Sequence, residues 1–347
     1  MIIVSSSRMR HGTFQAKYIP LSKVEKIKKI YVIRKSKGPK IPKVKYIILP
    51  KFCRYSLLNF IFVPIFLTYY VKKMKADYIL GYHLVPHGFF TFFASLITRK
   101  PHIICQTGGI LPLLAKKPFL GLIIKKIISS TKVFNVPGQQ SIDFWIKQSI
   151  PKNKLNILHS TIDTDKFSPS NDKKDIDFLY VGALNERKRV KQIIYAFKSV
   201  TKIYPKAKLG IVGKGPDKFF LFALVSSLGI KKNVIFYGFQ KNIKQYISRS
   251  KIFVMYSTIE GLPVALMEAM SCGKVVIAPK VDNIPSVLVS NNTGFLLSGD
   301  NLRELKDKLI KAYDNYDELK LLRENARNMI IDRYSYNTAI KKWEQIL

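Results

Sequence analysis

Two glutamates, Glu260 and Glu268, stand eight positions apart in the segment IEGLPVALMEAMSCG (259–273). Pro263 suits the first turn of a helix, where its missing N–H costs nothing, and Gly273 suits the position just past a helix end. The segment therefore reads as a loop followed by a helix over 263–272, with Glu260 in the loop and Glu268 facing out from the second turn. Gly261 lets a ligand come close to the backbone. The amides and dipole of a helix start suit phosphate oxygens, and a carboxylate accepts hydrogen bonds from sugar hydroxyls. The pair could hold polyols on either side of a phosphate. By itself, the spacing fits a surface helix with two solvated glutamates equally well.

Three further segments repeat the pattern of strand, glycine and loop. LYVGALNERKRVKQIIYAF (179–197) runs from a strand through Gly182 to Arg187-Lys188-Arg189 at a helix start. Basic side chains placed there can neutralise a diphosphate. LGIVGKGP (209–216) ends a strand at Gly213 and Gly215 and lacks the third glycine of a dinucleotide fingerprint, which argues against a Rossmann dehydrogenase. NVIFYGF (233–239) adds a strand ending at Gly238 and Phe239.

The elements that must position these residues alternate in type. Residues 1–160 show short apolar runs (IIVSS, KIYVIR, VKYIIL, YILGYH, HIICQT, KVFNVP) separated by segments of helical length at 57–75, 86–98, 119–130 and 138–149. That alternation predicts a parallel sheet covered on both faces. The polar stretch FSPSNDKKDID (167–177) reads as a linker, after which a second alternating series begins. The expected organisation is one domain over 1–166, a second over 167–334, and a last helix over 335–347 that could return to the first domain. Open α/β sheets bind ligands at the carboxyl ends of their strands, so the chemistry is sought in those loops.

Composition narrows the partners. The 347 residues carry 59 Lys+Arg against 22 Asp+Glu, a formal net charge of +37. Residues 1–175 hold 31 basic and 7 acidic residues, and residues 176–347 hold 28 and 15. Such a field favours an anionic membrane surface or a polyanion, or simply reflects a lysine-rich proteome. Nucleic acid is disfavoured because no recognition module is present. Cys53, Cys105 and Cys272 form no CxxC pair, which excludes a disulfide framework and fits a reducing compartment. The window SLLNFIFVPIFLTYYV (56–71) is short for a membrane span. It reads either as a buried helix or as an in-plane anchor flanked by Lys72, Lys73 and Lys75. MIIVSSSRMR is too short an apolar start for a secretory leader, so the expected location is cytoplasmic, peripheral on the inner face of the membrane.

Taken in order, the four segments from 179 to 273 resemble the C-terminal half of family-4 (group 1) glycosyltransferases of the GT-B fold, and ILHSTIDTDKF (157–167) resembles that family's interdomain signature. The resemblance covers 157–297 clearly and the N-terminal half in outline. It implies an α/β GT-B architecture, two Rossmann-like doubly wound domains facing each other across a cleft. It also implies retaining transfer of a sugar from a nucleotide-sugar to a glycan or lipid-linked saccharide, without a metal or other cofactor. On that resemblance Glu268 binds the ribose hydroxyls and Glu260 touches the donor sugar. Gly261, Leu262 and Pro263 lie near the diphosphate, and Lys188 with Arg187 neutralises the leaving phosphates. Gly182, Gly213, Gly238 and Phe239 line the donor site, and Gly12, in the loop after the first strand, admits the phosphates. Ala183 stands where the family usually has arginine, and Gln106-Thr107 stands in place of its acceptor-side histidine. His83 and His87 are the candidate substitutes. DTD (163–165) reads as hinge structure rather than a metal motif. A nucleotide-sugar epimerase or hydrolase on the same fold, or a basic binding protein without catalysis, is the alternative.

Overall fold

The computed structural model describes residues 1–9, 11–54, 56–106 and 118–347, and divides into two compact units, 1–161 with 336–347, and 162–335. Among the described residues the first unit holds seven parallel strands: β1 (Ile2–Ser6), β2 (Lys29–Arg34), β3 (Val44–Ile48), β4 (Tyr78–Tyr82), β5 (His102–Cys105), β6 (Val133–Val136) and β7 (Leu155–Ile157). Their order is β3-β2-β1-β4-β5-β6-β7. Strands β1, β4, β5 and β6 are almost wholly buried, as expected where helices cover both faces of a parallel sheet. The helices are α1 (His11–Lys23), α2 (Ser56–Lys73), α3 (Phe89–Thr98), α4 (Pro118–Ser130) and α5 (Gln139–Lys147).

Helix α2 holds the apolar window and buries one of its faces. Val63, Leu67 and Val71, spaced by four, face inward against Val4, Ile79, Phe90 and Ala94. Phe60, Ile61, Ile65 and Tyr69 on the other side are about half exposed. The helix is apolar on two faces and buried on one, and the one-dimensional pattern cannot separate those cases. No helix among the described residues is long and apolar enough to cross a membrane.

The second unit holds β8 (Ile176–Val181), β9 (Leu209–Val212), β10 (Val234–Gly238), β11 (Ser250–Val254), β12 (Val275–Pro279) and β13 (Phe295–Leu297), all parallel, in the order β10-β9-β8-β11-β12-β13. Helices α6 (Val190–Ile203), α7 (Lys218–Ser227), α8 (Lys244–Arg249), α9 (Val264–Ser271), α10 (Leu302–Asp314) and α11 (Lys320–Tyr334) flank it. The order reverses direction between β8 and β11, so the loops after these two strands diverge and leave a crevice at their carboxyl ends. The last helix, α12 (Tyr336–Ile346), packs on α1 in the first unit and buries Trp343 and Ile346 beside Tyr18 and Leu21.

Two local expectations change. Gly12 lies in the first turn of α1 rather than in a loop, and a Cβ there would meet nothing within 4 Å. Pro263 is the residue just before α9 rather than its first helical residue, with an extended backbone (ψ 117°). The segment at Thr107 to Gly109, which carries part of the departure from the family pattern, lies outside the described residues.

Candidate active site

The loop after β8 is shaped by its glycines. A Cβ on Gly213 would lie 1.8 Å from the carbonyl oxygen of Gly182, and one on Gly215 would lie 2.0 Å from that of Leu184. Only glycine lets the 182–184 and 213–215 loops run this close. The Gly182 N–H donates to the Val212 carbonyl at 3.0 Å, and the Gly213 N–H donates to the Gly238 carbonyl at 2.8 Å. Gly182, Gly213 and Gly238 thus form one continuous backbone ledge at the ends of β8, β9 and β10. Beside it the Phe239 ring is exposed, with the Lys214 ammonium 5.0 Å from its centroid. That flat, cation-backed ring could stack against a base.

From the ledge the chain enters a single turn over Glu186–Lys188, started by the Asn185 side chain, which accepts from the Lys188 N–H at 3.3 Å. This turn is tied to the loop after β11. The Thr258 N–H donates to the Arg187 carbonyl at 2.9 Å, and Arg187 Nη1 donates to the Ile259 carbonyl at 2.5 Å. The two loops at the switch point therefore hold their side chains together. Lys188 Nζ pairs directly with Glu260 Oε1, and Arg187 Nη1 lies 3.8 Å from Glu260 Oε2. Lys188 and Glu260 are largely buried, while Arg187 is 46% exposed. One carboxylate faces two cations near the start of α9. The helix adds the positive end of its dipole.

Glu260 is fixed from its backbone as well, its N–H donating to Asp282 Oδ2 at 2.6 Å. The sequence gives no signal for Asp282, which has φ 43° and lies 22 residues downstream. Asn185 went unremarked in the sequence, although it is a helix-starting residue type between a strand and a basic turn. Tyr180 also packs close: burial, then the Glu260 charge, pushes its phenol up. Nearby, Arg189 pairs with Asp300, which accepts from the Tyr256 hydroxyl at 3.1 Å.

Glu268 does not face freely into solvent as the sequence suggested. It sits on the second turn of α9, partly exposed, among the buried side chains Leu266, Met267, Ala269 and Met270. Burial pushes its carboxyl up to about 8, with the Lys166 cation pulling the other way. At neutral pH this carboxyl is then mostly protonated and can donate as well as accept. Gly261 is exposed with open space where a Cβ would lie, and Leu262 is half-buried. Asp163, from the DTD segment, accepts from the Lys166 N–H at 3.0 Å and makes a turn. No group of three or more metal-ligating side chains occurs among the described residues.

His83 and His87 lie in the first unit after β4. His87 is buried, its Nδ1 2.7 Å from Ser6 Oγ. Burial first, then the neighbouring His83 and Arg8, pulls its pKa down to about 3, so the ring is neutral. His83 adopts φ 71° and donates its N–H to the Cys105 carbonyl at 2.9 Å.

Residues 161–329 match the family described as glycosyl transferases group 1. Those residues are a group 1 glycosyltransferase domain. This glycosyltransferase is 24% identical over 290 residues to N-acetyl-alpha-D-glucosaminyl L-malate synthase of Bacillus anthracis, covering 79% of this chain and 75% of that protein. It is 23% identical over 321 residues to the UDP-Gal:alpha-D-GlcNAc-diphosphoundecaprenol alpha-1,3-galactosyltransferase of Escherichia coli, covering 86% and 82%. Anabaena HepE, solved in complex with UDP, superposes with a TM-score of 0.80 at 17% identity, covering 99% of this chain and 98% of that one. The glycosyltransferase therefore has the GT-B fold, with two Rossmann-like parallel-sheet domains.

Proposed function

We propose that this glycosyltransferase moves a sugar from a nucleotide-sugar to a glycan or lipid-linked saccharide, with retention at the anomeric carbon and without a metal. The observation that carries the reading is the Arg187–Lys188–Glu260 cluster at the switch point of the second unit. In the proposed reaction the bond from the anomeric carbon to the diphosphate oxygen breaks as the bond to the acceptor hydroxyl forms. The acceptor proton passes to the departing phosphate on the same face, so no covalent carboxylate nucleophile is needed. Arg187, Lys188 and the first amides of α9 take up the charge that builds on the diphosphate. Glu260 orients Lys188 and meets the sugar hydroxyls, Glu268 takes the ribose, and Gly238 with Phe239 flanks the base. The two relatives named above act, by their names, on a small acid and on a lipid-linked diphosphate, which supports a transferase and leaves the acceptor to experiment. The strongly basic residues 1–175 suit work at an anionic membrane surface.

A hydrolysis and thermal-shift screen of UDP-, GDP- and ADP-sugars, with and without EDTA, tests the donor and the metal together. One donor is expected to stabilise the protein and to turn over equally with EDTA. Lys188→Ala should lower turnover by about 10²–10³ while nucleotide affinity changes far less. Full activity in that variant, or an inverted anomer seen by NMR of the product, would overturn the mechanism.

A further inference from the structure

A cavity in the first unit opens where β1, β2 and β4 end, at that sheet's own switch point. It is a small cavity of about 30 Å³, open to solvent on one side and lined by Ser6, Arg8, Arg34, Lys35, Phe60 and His87 among others. No acidic side chain lines it, while three cations do. Arg34 is held by an Nη2 bond to the Met9 carbonyl at 2.9 Å and by the Phe14 ring at 4.5 Å. Its Nη1 and the Nε2 of buried His87 have no hydrogen-bond partner among the described residues. A buried polar atom left this way is costly unless a ligand satisfies it. Cations, hydroxyls and an unpaired imidazole nitrogen are a set that suits a phosphate.

This cavity adjoins an apolar groove of about 500 Å³ between α2 and α3, lined by Phe60, Ile61, Ile65, Tyr69, Phe93 and Ile97, with Lys72 at one end. Phe60 lines both. The rings of His87, Phe90 and Phe60 follow one another with centroids 5.7 and 5.6 Å apart, so an aromatic wall leads from one to the other. We infer that the cavity and groove form one subsite for an acceptor that is a phosphate-linked lipid, the phosphate among Arg8, Arg34, Lys35 and His87 and the hydrocarbon chain along α2 and α3. Charge complementarity at the head and continuity with the apolar face select this occupant over a free sugar phosphate, which leaves the groove bare, and over a neutral lipid, which leaves Arg34 Nη1 without an acceptor. This deepens the transferase reading and rests on it for the word acceptor.

Binding of farnesyl diphosphate, farnesol and inorganic pyrophosphate to the full chain, measured by calorimetry, tests the subsite. Farnesyl diphosphate is expected to bind at least about tenfold more tightly than either fragment. Arg8→Ala and Lys35→Ala should weaken farnesyl diphosphate and pyrophosphate. Ile65→Asp should weaken farnesyl diphosphate and farnesol but not pyrophosphate, and Lys188→Ala should change none of them. Equal affinity for farnesyl diphosphate and pyrophosphate overturns the inference, as does loss of binding in Lys188→Ala, which would place the ligand in the donor site. A dimer dispersed by Ile65→Asp, with farnesyl diphosphate binding unchanged, also overturns it by assigning the groove to a second copy. Thermal stabilisation by nucleotide is read on the same samples. If nucleotide binds and these affinities fail, only this inference falls; if nucleotide does not bind, the transferase mechanism falls and these affinities stand.

Discussion

The state of Glu268 has measurable effects on stability. Its carboxyl is raised to about 8 in the folded protein, mainly by desolvation, against about 4.3 for a solvated glutamate. Between those values the native state binds more protons than the unfolded chain, so stability falls as pH rises from about 4 to about 8. Glu268→Gln cannot ionise. It should match the native protein in melting temperature at pH 4.5 and exceed it at pH 8.5, by about 2–4 °C for each kcal/mol of relieved desolvation. Melting curves across that range check the sign, and a pH-independent difference would contradict it. At this scale the sequence was only partly informative. Glu260, Lys188 and Arg187 were legible because strand, glycine and basic turn occur in a fixed order. Asp282 was not, because nothing in its local pattern points back to Glu260. The burial of Glu268 was hidden too, since a glutamate in a helix reads as solvated until its neighbours in space are known.

At the scale of elements, strands were the most legible feature. β1 and β2 coincide with the apolar runs IIVSS and KIYVIR, since a strand buried on both faces is a continuous run of such residues. Helix α1 escaped notice because HGTFQAKYIPLSK mixes polar and apolar residues with no clear helical period and contains Pro20. That is why Gly12 was expected in a loop. The glycine ledge carries the clearest element-scale prediction. Gly213→Ala must move the backbone of the β8 loop, because its Cβ would meet the Gly182 carbonyl oxygen and its φ is +156°. A loss of about 2–4 kcal/mol is expected in chemical denaturation, together with weakened nucleotide binding. Gly261→Ala, where a Cβ meets nothing within 4 Å, should leave stability nearly unchanged. Equal stability in the two variants would contradict the proposed packing of the strand ends.

At the scale of the whole molecule, the two sheets share a strand order built outward from their first strands. Each unit has its own apolar core. The first is completed by α12, whose Trp343 is fully buried against α1 and whose Lys342 Nζ donates to the Ile157 carbonyl at 2.9 Å. Trp343→Ala should cost about 3–5 kcal/mol, read as an earlier melt of the first unit. Stabilisation of the second unit by nucleotide should persist, and a single shifted transition for both would contradict this. The same helix constrains how the chain can be made. On the ribosome, residues 1–161 emerge first yet lack the tryptophan that fills their core, while 162–335 can close as soon as they are out. At about 5–20 residues per second, the amino-terminal half waits roughly 10–40 s for its final piece. Throughout synthesis its exposed apolar surface would be a substrate for chaperones, and the later-made half would be the first to become native.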